Sequence, residues 1–255
     1  GSDSARSWST LLNQPTAELY HVITDTRLPF RVYASQQDNT SLSLATHSET
    51  GAITVRDMYT VGGGEAGHIA VRPDDPDIVY ATEYGGEITR HDHRRMTTAP
   101  IWVWPDWRHG GAAESRYRFN WTSPIILSPH DPNVLYLGGN VIFRTEDEGA
   151  TWEAVSPDLT RNDPDKQRSS GGPVTQDNSG AEYWCTVFAL AESPLARGVL
   201  WAGTDDGLVH VSELRDERGA LLTSRRGERA GDRRRRHGRF LAHRGNAPRA
   251  SGRSR

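Results

Sequence analysis

At 255 residues the chain can bury a sizeable core, and its 25 glycines, 14 prolines and eight tryptophans favour a turn-rich all-β protein. A single cysteine, Cys185, excludes an internal disulfide framework, and no apolar run approaches the ~18 residues of a membrane span. The net charge of −3 hides an acidic body, −12 over residues 1–212, which argues against nucleic-acid binding.

Residues 1–8, G-S-D-S-A-R-S-W, set Asp3, Ser7 and Trp8 at a spacing that returns more completely at 145–152. Ala5 stands where the later copy has glycine. The chain is therefore expected to begin inside a repeat, as a piece of a longer protein. Two short strands are expected at 21–24 and 29–33, followed by a polar turn at Gln37, Asp38 and Asn39. Gly62, Gly63 and Gly64 lead through Glu65 into a strand from 68 to 72. Pro73 and Pro76 break it, the next strand runs from 78 to 81, and Thr82-Glu83-Tyr84-Gly85-Gly86 turns it. His91-Asp92-His93 alternates as metal ligands do, but strand-end polar residues account for it more simply, and no metal is assigned.

Residues 94–123 interrupt the pattern with Trp102, Trp104, Trp107, Tyr117, Phe119 and Trp121. Two readings stand. Exposed rings such as Trp102 and Trp104 can stack on sugars, or the insert packs as a plug between repeats. From 124 to 152 the punctuation is clearest. Strands are expected at 125–127, 134–137 and 141–144, with Gly138-Gly139-Asn140 as a turn and a fourth strand at 152–155. The link 145–152, T-E-D-E-G-A-T-W, has a mechanical reason at each position. Asp147 can accept hydrogen bonds from its own turn, Gly149 supplies a positive φ, Thr151 opens a strand, and Trp152 anchors it. Residues 158–184 read as a long polar surface loop, and Cys185 as a core residue in an apolar strand.

A last block runs from 189 to 212 and ends in Gly203-Thr204-Asp205-Asp206-Gly207 and Leu208-Val209-His210-Val211-Ser212. Beyond it, residues 213–255 hold 14 arginines, carry +9 and lack a strand pattern. This tail is expected to be largely disordered. It is either a basic arm or an out-of-frame translation, and the break in mid-motif favours the latter.

The blocks are copies of one another. Pro73 and Tyr80, Pro129 and Tyr136, and Pro194 and Trp201 each lie seven residues apart, and Tyr33 belongs to a fainter copy. These aromatics are separated by 47, 56 and 65 residues, against roughly 40–50 for a propeller blade, so the longer gaps hold inserted loops. The fold expected for 1–212 is all-β, a β-propeller fragment of about three to four four-stranded blades. Equivalent turns of a propeller share one end of the disc. Gln37 to Asn39, Glu83, Asn140, Asp205 and Asp206 should then ring one face, while Asp3 and Asp147 lie at turns leading into outer strands.

The 145–152 motif matches S/T-x-D-x-G-x-T-W, the Asp-box of bacterial-neuraminidase-type repeats, with Asp3, Trp8, Asp147, Gly149, Thr151 and Trp152 as its structural residues. Together with Ser128-Pro129-His130-Asp131-Pro132-Asn133-Val134-Leu135-Tyr136 and the 203–212 ending, it makes residues 1–212 resemble the BNR/Asp-box propeller superfamily. That group includes sortilin-like domains, xyloglucan-active glycoside hydrolases and exported bacterial proteins labelled as glycosyl hydrolases with BNR repeats. The resemblance implies a periplasmic or extracellular protein with further blades, binding a carbohydrate or protein ligand as a scaffold and using no cofactor. The alternative it implies is part of a glycoside hydrolase. In the xyloglucan-active enzymes a catalytic aspartate sits in a T-D-x-G-G turn after a Y-A strand. Glu83 occupies that place here, one residue closer to the preceding glycine cluster, and is either the catalytic carboxylate or a turn residue. The binding residues implied are Gln37, Asp38, Asn39, Glu65, Asn140, Asp205, Asp206, Trp102 and Trp104.

Overall fold

The computed structural model describes residues 17–105, 111–177, 179, 181, 183–213 and 239–242. Asp3, Trp8 and Trp107 lie outside the described residues. Among those described, helix is confined to three-residue 3-10 turns, and sixteen strands form four antiparallel sheets of four. The first sheet contains Leu19–Thr24 (β1), Arg31–Gln36 (β2), Ser41–Ala45 (β3) and Met58–Thr60 (β4). The second contains Ile69–Val71 (β5), Ile78–Thr82 (β6), Ile88–Asp92 (β7) and Thr97–Pro100 (β8). The third contains Ile125–Leu127 (β9), Leu135–Gly138 (β10), Ile142–Thr145 (β11) and Glu153–Ala154 (β12). The fourth contains Val187–Glu192 (β13), Leu200–Thr204 (β14), Val209–Glu213 (β15) and Arg239–Ala242 (β16).

Every sheet is a simple meander in chain order. The first strands of consecutive sheets face each other, β1 against β5, β5 against β9 and β9 against β13. Four-stranded meanders stacked face to face, each with its first strand innermost, are the blades of a β-propeller. The structure is a four-bladed array.

The repeated prolines and turn residues have a common local result. In the second blade Ile78 N–H donates to Asp75 C=O at 3.0 Å, in the third Val134 to Asp131 at 3.0 Å, and in the fourth Val199 to Ala196 at 3.2 Å. The same β-turn thus joins the first two strands of three blades. The aromatic two positions beyond each turn closure lands at the same register of the second strand. Tyr33, Tyr80 and Tyr136 are all buried. Each is covered by aliphatic residues of the following blade, such as Ile69 and Val79 over Tyr33, or Val187 and Leu200 over Tyr136. The core is therefore a row of blade interfaces.

The 145–152 turn joins the third strand to the fourth in the third blade. Asp147 Oδ1 accepts from Thr151 N–H at 2.8 Å and from Thr145 Oγ1 at 2.7 Å, and its Oδ2 accepts from Thr151 Oγ1 at 2.6 Å. The bonds from Thr151 foremost hold its carboxyl down at about 2. Gly149 adopts a φ of +87°, and Ile101 of the preceding blade lies where a Cβ would stand. Trp152 is half-buried and donates its indole N–H to Ile101 C=O at 2.8 Å. The turn therefore also fastens the third blade to the second.

In the tail, Arg239–Ala242 pair with β15 as the outer strand of the fourth blade. Without them β15 would be an open edge. Residues 214–238 and 243–255 lie outside the described residues. No helix among the described residues is long and apolar enough to cross a membrane.

Candidate functional site

In each blade, the end of the second strand, the turn that follows it, and the segment entering the first strand lie at one end of the sheet. Gln37 to Asn39, Glu83, Asn140, Asp205 and Asp206 all occupy such turns. Asp147 occupies a turn at the other end, between β11 and β12.

Two clusters form at the first end. In one, Glu65 Oε2 accepts from Gln37 Nε2 at 2.7 Å and from Asp38 N–H at 2.8 Å, so the first interblade segment is tied to the first blade's turn. Asn39, exposed beside them, closes that turn by donating its N–H to Gln36 C=O at 3.0 Å. Tyr20 donates its hydroxyl to Gln37 Oε1 and accepts from Trp121 Nε1 at 3.3 Å. Trp121 lies parallel to Tyr84, with ring centroids 5.0 Å apart and planes within 4°. Tyr84 follows Glu83 directly. The Glu83 side chain crosses Gly64, where an added Cβ would fall 2.0 Å from its Cδ, so the glycine leaves the room that the carboxylate fills.

In the second cluster, Asp205 Oδ1 accepts from Thr186 N–H at 3.0 Å, and Oδ2 accepts from Thr186 Oγ1 at 2.6 Å. Asn120 Nδ2 donates to Thr186 Oγ1 at 3.0 Å and reaches Asp205 Oδ2 at 3.5 Å. Because Asn120 and Trp121 are neighbours in sequence, the end of the aromatic insert bridges both clusters. Asp206 accepts from Arg161 N–H at 2.5 Å and from Thr204 Oγ1, and so ties the segment around Arg161 to the fourth blade's turn.

Asn140 is bonded within the fold. It is buried, its Oδ1 accepts from Arg118 N–H at 3.1 Å, and its Nδ2 donates to Asp158 at 3.0 Å. It clamps loops together. The insert divides. Phe119 and Tyr117 pack on Phe143 as a plug, while Trp102 and Trp104 are exposed. The Arg116 guanidinium covers Trp104 at 4.0 Å. Ile101, which precedes the exposed pair, is held by Trp152, whereas Trp121 belongs to the polar cluster. Tyr20, Tyr84, Asn120 and Trp121 were not singled out as a site by the sequence. Their only signals are Trp121's place in an aromatic-rich insert and Tyr84's place beside Glu83.

The opposite rim carries a different network. Tyr33 donates to Asp25 at 2.9 Å and accepts from Arg27 at 3.1 Å, and Arg27 also pairs with Asp77. With its only proton given to Asp25, Tyr33 accepts from His93 Nε2 at 3.2 Å, which leaves Nδ1 to accept from Tyr59 at 2.8 Å. Burial foremost, then Arg27, pushes His93 down to about 4, so the ring is neutral near pH 7, in keeping with these roles. A cavity of about 280 Å³ lined by Arg31, His47, Tyr59 and His93 opens beside it. His91 bonds Thr98 at 2.8 Å and Asp92 receives Arg94 and Arg95, so these are strand-end contacts. Among the described residues no three His, Cys, Asp or Glu side chains group to hold a metal. Cys185 is buried, and burial raises its thiol.

No family model and no curated protein matches the chain. Among solved structures it is similar to a GH74 xyloglucanase from Xanthomonas campestris, at 15% identity and a TM-score of 0.45. The match covers 82% of this chain and 27% of that one, so the chain spans about a quarter of that enzyme.

Proposed function

We propose that this chain is a glycan-binding propeller scaffold from an exported protein of the Asp-box repeat type, working with further blades. The observation that carries this reading is the half-exposed parallel pair Tyr84 and Trp121, set among Glu83, Gln37, Glu65 and Asp205. Flat apolar rings suit the C–H faces of sugars, and carboxylates and amides suit their hydroxyls. The hydrogen bonding of Asp147 within 145–152 supports the repeat assignment, and the resemblance supplies the periplasmic or extracellular location.

Titration of the full chain with β-glucan oligosaccharides by calorimetry tests the proposal. Binding should be lost in Trp121→Ala and weakened at least about tenfold in Tyr84→Ala, the loss of a stacking contact of about 1.4 kcal/mol. Binding that survives both substitutions, or no binding to any polysaccharide, removes the glycan reading.

A further inference from the structure

Phe30 and Arg31 lie where β2 begins, at the end of the first sheet opposite the turn that holds Gln37. Arg31 pairs in register with Ala45, and Tyr33 with Ser43, which in turn pairs with Tyr59. Residues two apart on a strand share a face. Arg31, Ala45 and Tyr59 therefore lie on the face of Tyr33, which Ile69 and Val79 of the second blade cover. The cavity of about 280 Å³ that they line is completed by Asp77 and His93 of the second blade. Both of its walls belong to adjacent blades joined within this chain.

Two arginines line this cavity, and their bonding differs. Arg27 is committed to Asp25, Tyr33 and Asp77. Arg31 is half-buried and held by neutral groups alone. Its Nε donates to Ser43 Oγ at 2.6 Å, and its Nη2 donates to Ser43 C=O at 3.4 Å and Asp57 C=O at 3.2 Å. The guanidinium carbon stands 4.7 Å from the centroid of the Tyr59 ring. Among the described residues no carboxylate pairs with this guanidinium, and Nη1 makes no hydrogen bond. The acids around it are engaged elsewhere. Asp25 and Asp77 take Arg27, Asp77 also takes Arg94 at 3.5 Å, and the Asp57 carboxylate accepts from Thr54 N–H at 2.7 Å. Arg31 thus keeps one unmatched positive charge in a fixed orientation, with the two donors of Nη1 unused. His93 across the cavity is neutral and adds no second cation. Beside Arg31 the wall is apolar, with Pro29, Ala45 and Phe30, whose ring is 43% exposed.

We propose that this cavity between the first two blades binds a small monocarboxylate with a flat apolar body, its carboxylate on Arg31 and its ring beside Phe30. A carboxylate is planar and matches the guanidinium fork, and one negative charge meets the one that Arg31 leaves unmatched. A phosphate is more highly charged and has no part to lay on the apolar wall. The cavity lies at the small end of ligand sites, which suits a single ring. The site is separate from the glycan reading, since Tyr84, Trp121 and Glu83 lie at the other end of the blades.

Heteronuclear NMR of the full chain, titrated with benzoate, tests it. The amides of Phe30, Arg31, Ala45 and Thr46 should shift with a Kd on the order of 1 mM, while the Trp121 indole N–H stays in place. Benzyl alcohol lacks the charge and inorganic phosphate lacks the ring, and each should bind at least about tenfold more weakly. Arg31→Gln should weaken benzoate binding by at least about tenfold, and Phe30→Ala should weaken it severalfold. Circular dichroism checks that both variants remain folded, and Phe30→Ala, which alters an exposed ring, decides alone if Arg31→Gln unfolds. Benzoate that leaves these amides unmoved, benzyl alcohol or phosphate that binds as well as benzoate, or a folded variant that binds benzoate as the wild type does overturns the proposal.

Discussion

Glu83 owes its position to a residue that carries no side chain. Its carboxylate fills the space above Gly64, where an added Cβ would fall 2.0 Å from Cδ. Gly64→Ala should push a flexible side chain aside instead of breaking backbone contacts. It should therefore lower oligosaccharide affinity while leaving Tm nearly unchanged; a large loss of Tm would mean that Gly64 serves packing alone. Glu83→Gln keeps the shape and removes the charge. On the scaffold reading wild type and variant both fail to release reducing ends from β-glucan, and binding falls less than about tenfold. Hydrolysis by wild type that disappears in Glu83→Gln would make this an enzyme. The sequence singled out Glu83 and Asp205 because a turn after a strand is a local pattern. It could not single out Tyr20 or Asn120, whose roles arise from partners 17 and 66 residues away. Nor could it show that Asn140, an amide in a glycine turn, bonds Arg118 and Asp158 from distant loops.

At the scale of elements, the 145–152 turn does two jobs, closing its own hairpin and fastening the third blade to Ile101 of the second. Trp152→Ala should cost about 3 kcal/mol, the low end for a large aromatic because the ring is half-buried. A chemical-denaturation midpoint that hardly moves would reduce the tryptophan to a surface residue. The strands around it were legible because proline, glycine and β-branched runs act within a few residues of themselves. β16 was not legible, because Arg239–Ala242 join β15 across a stretch of sequence with no strand pattern. Truncation after Ser212 removes that partner and leaves β15 as an open edge. The truncated chain should melt lower, by about 2–4 °C for each kcal/mol lost, and an unchanged Tm would mean that β16 adds nothing.

At the scale of the whole molecule, the blades hold neutral histidines in the interfaces that join them. His93 bridges Tyr33 of the first blade and Tyr59 of its outer strand, and burial brings it down to about 4. His68, stacked on His21 at 3.7 Å, is lowered to about 4 by burial and by that neighbour. An unfolded histidine titrates near 6.5. Between about 6.5 and 4 the unfolded chain therefore binds protons that the folded chain refuses, and stability must fall as the pH is lowered through that window. Above it both states are neutral at these sites, and below about 4 both are charged, so the slope from these groups ends at either side. Burial lowers His91 and His210 as well, in the same direction. Tm measured from pH 7.5 to 4 should decline most steeply between 6.5 and 4, and His93→Gln with His68→Gln should flatten that decline while lowering Tm at pH 7.5. The slope belongs to the blade interfaces, because both rings lie where the first blade meets the second. A decline that leaves the double variant's slope equal to the wild type's would assign acid sensitivity in this window to His91 and His210 instead, since a carboxylate held down like Asp147 loses its contribution only at lower pH.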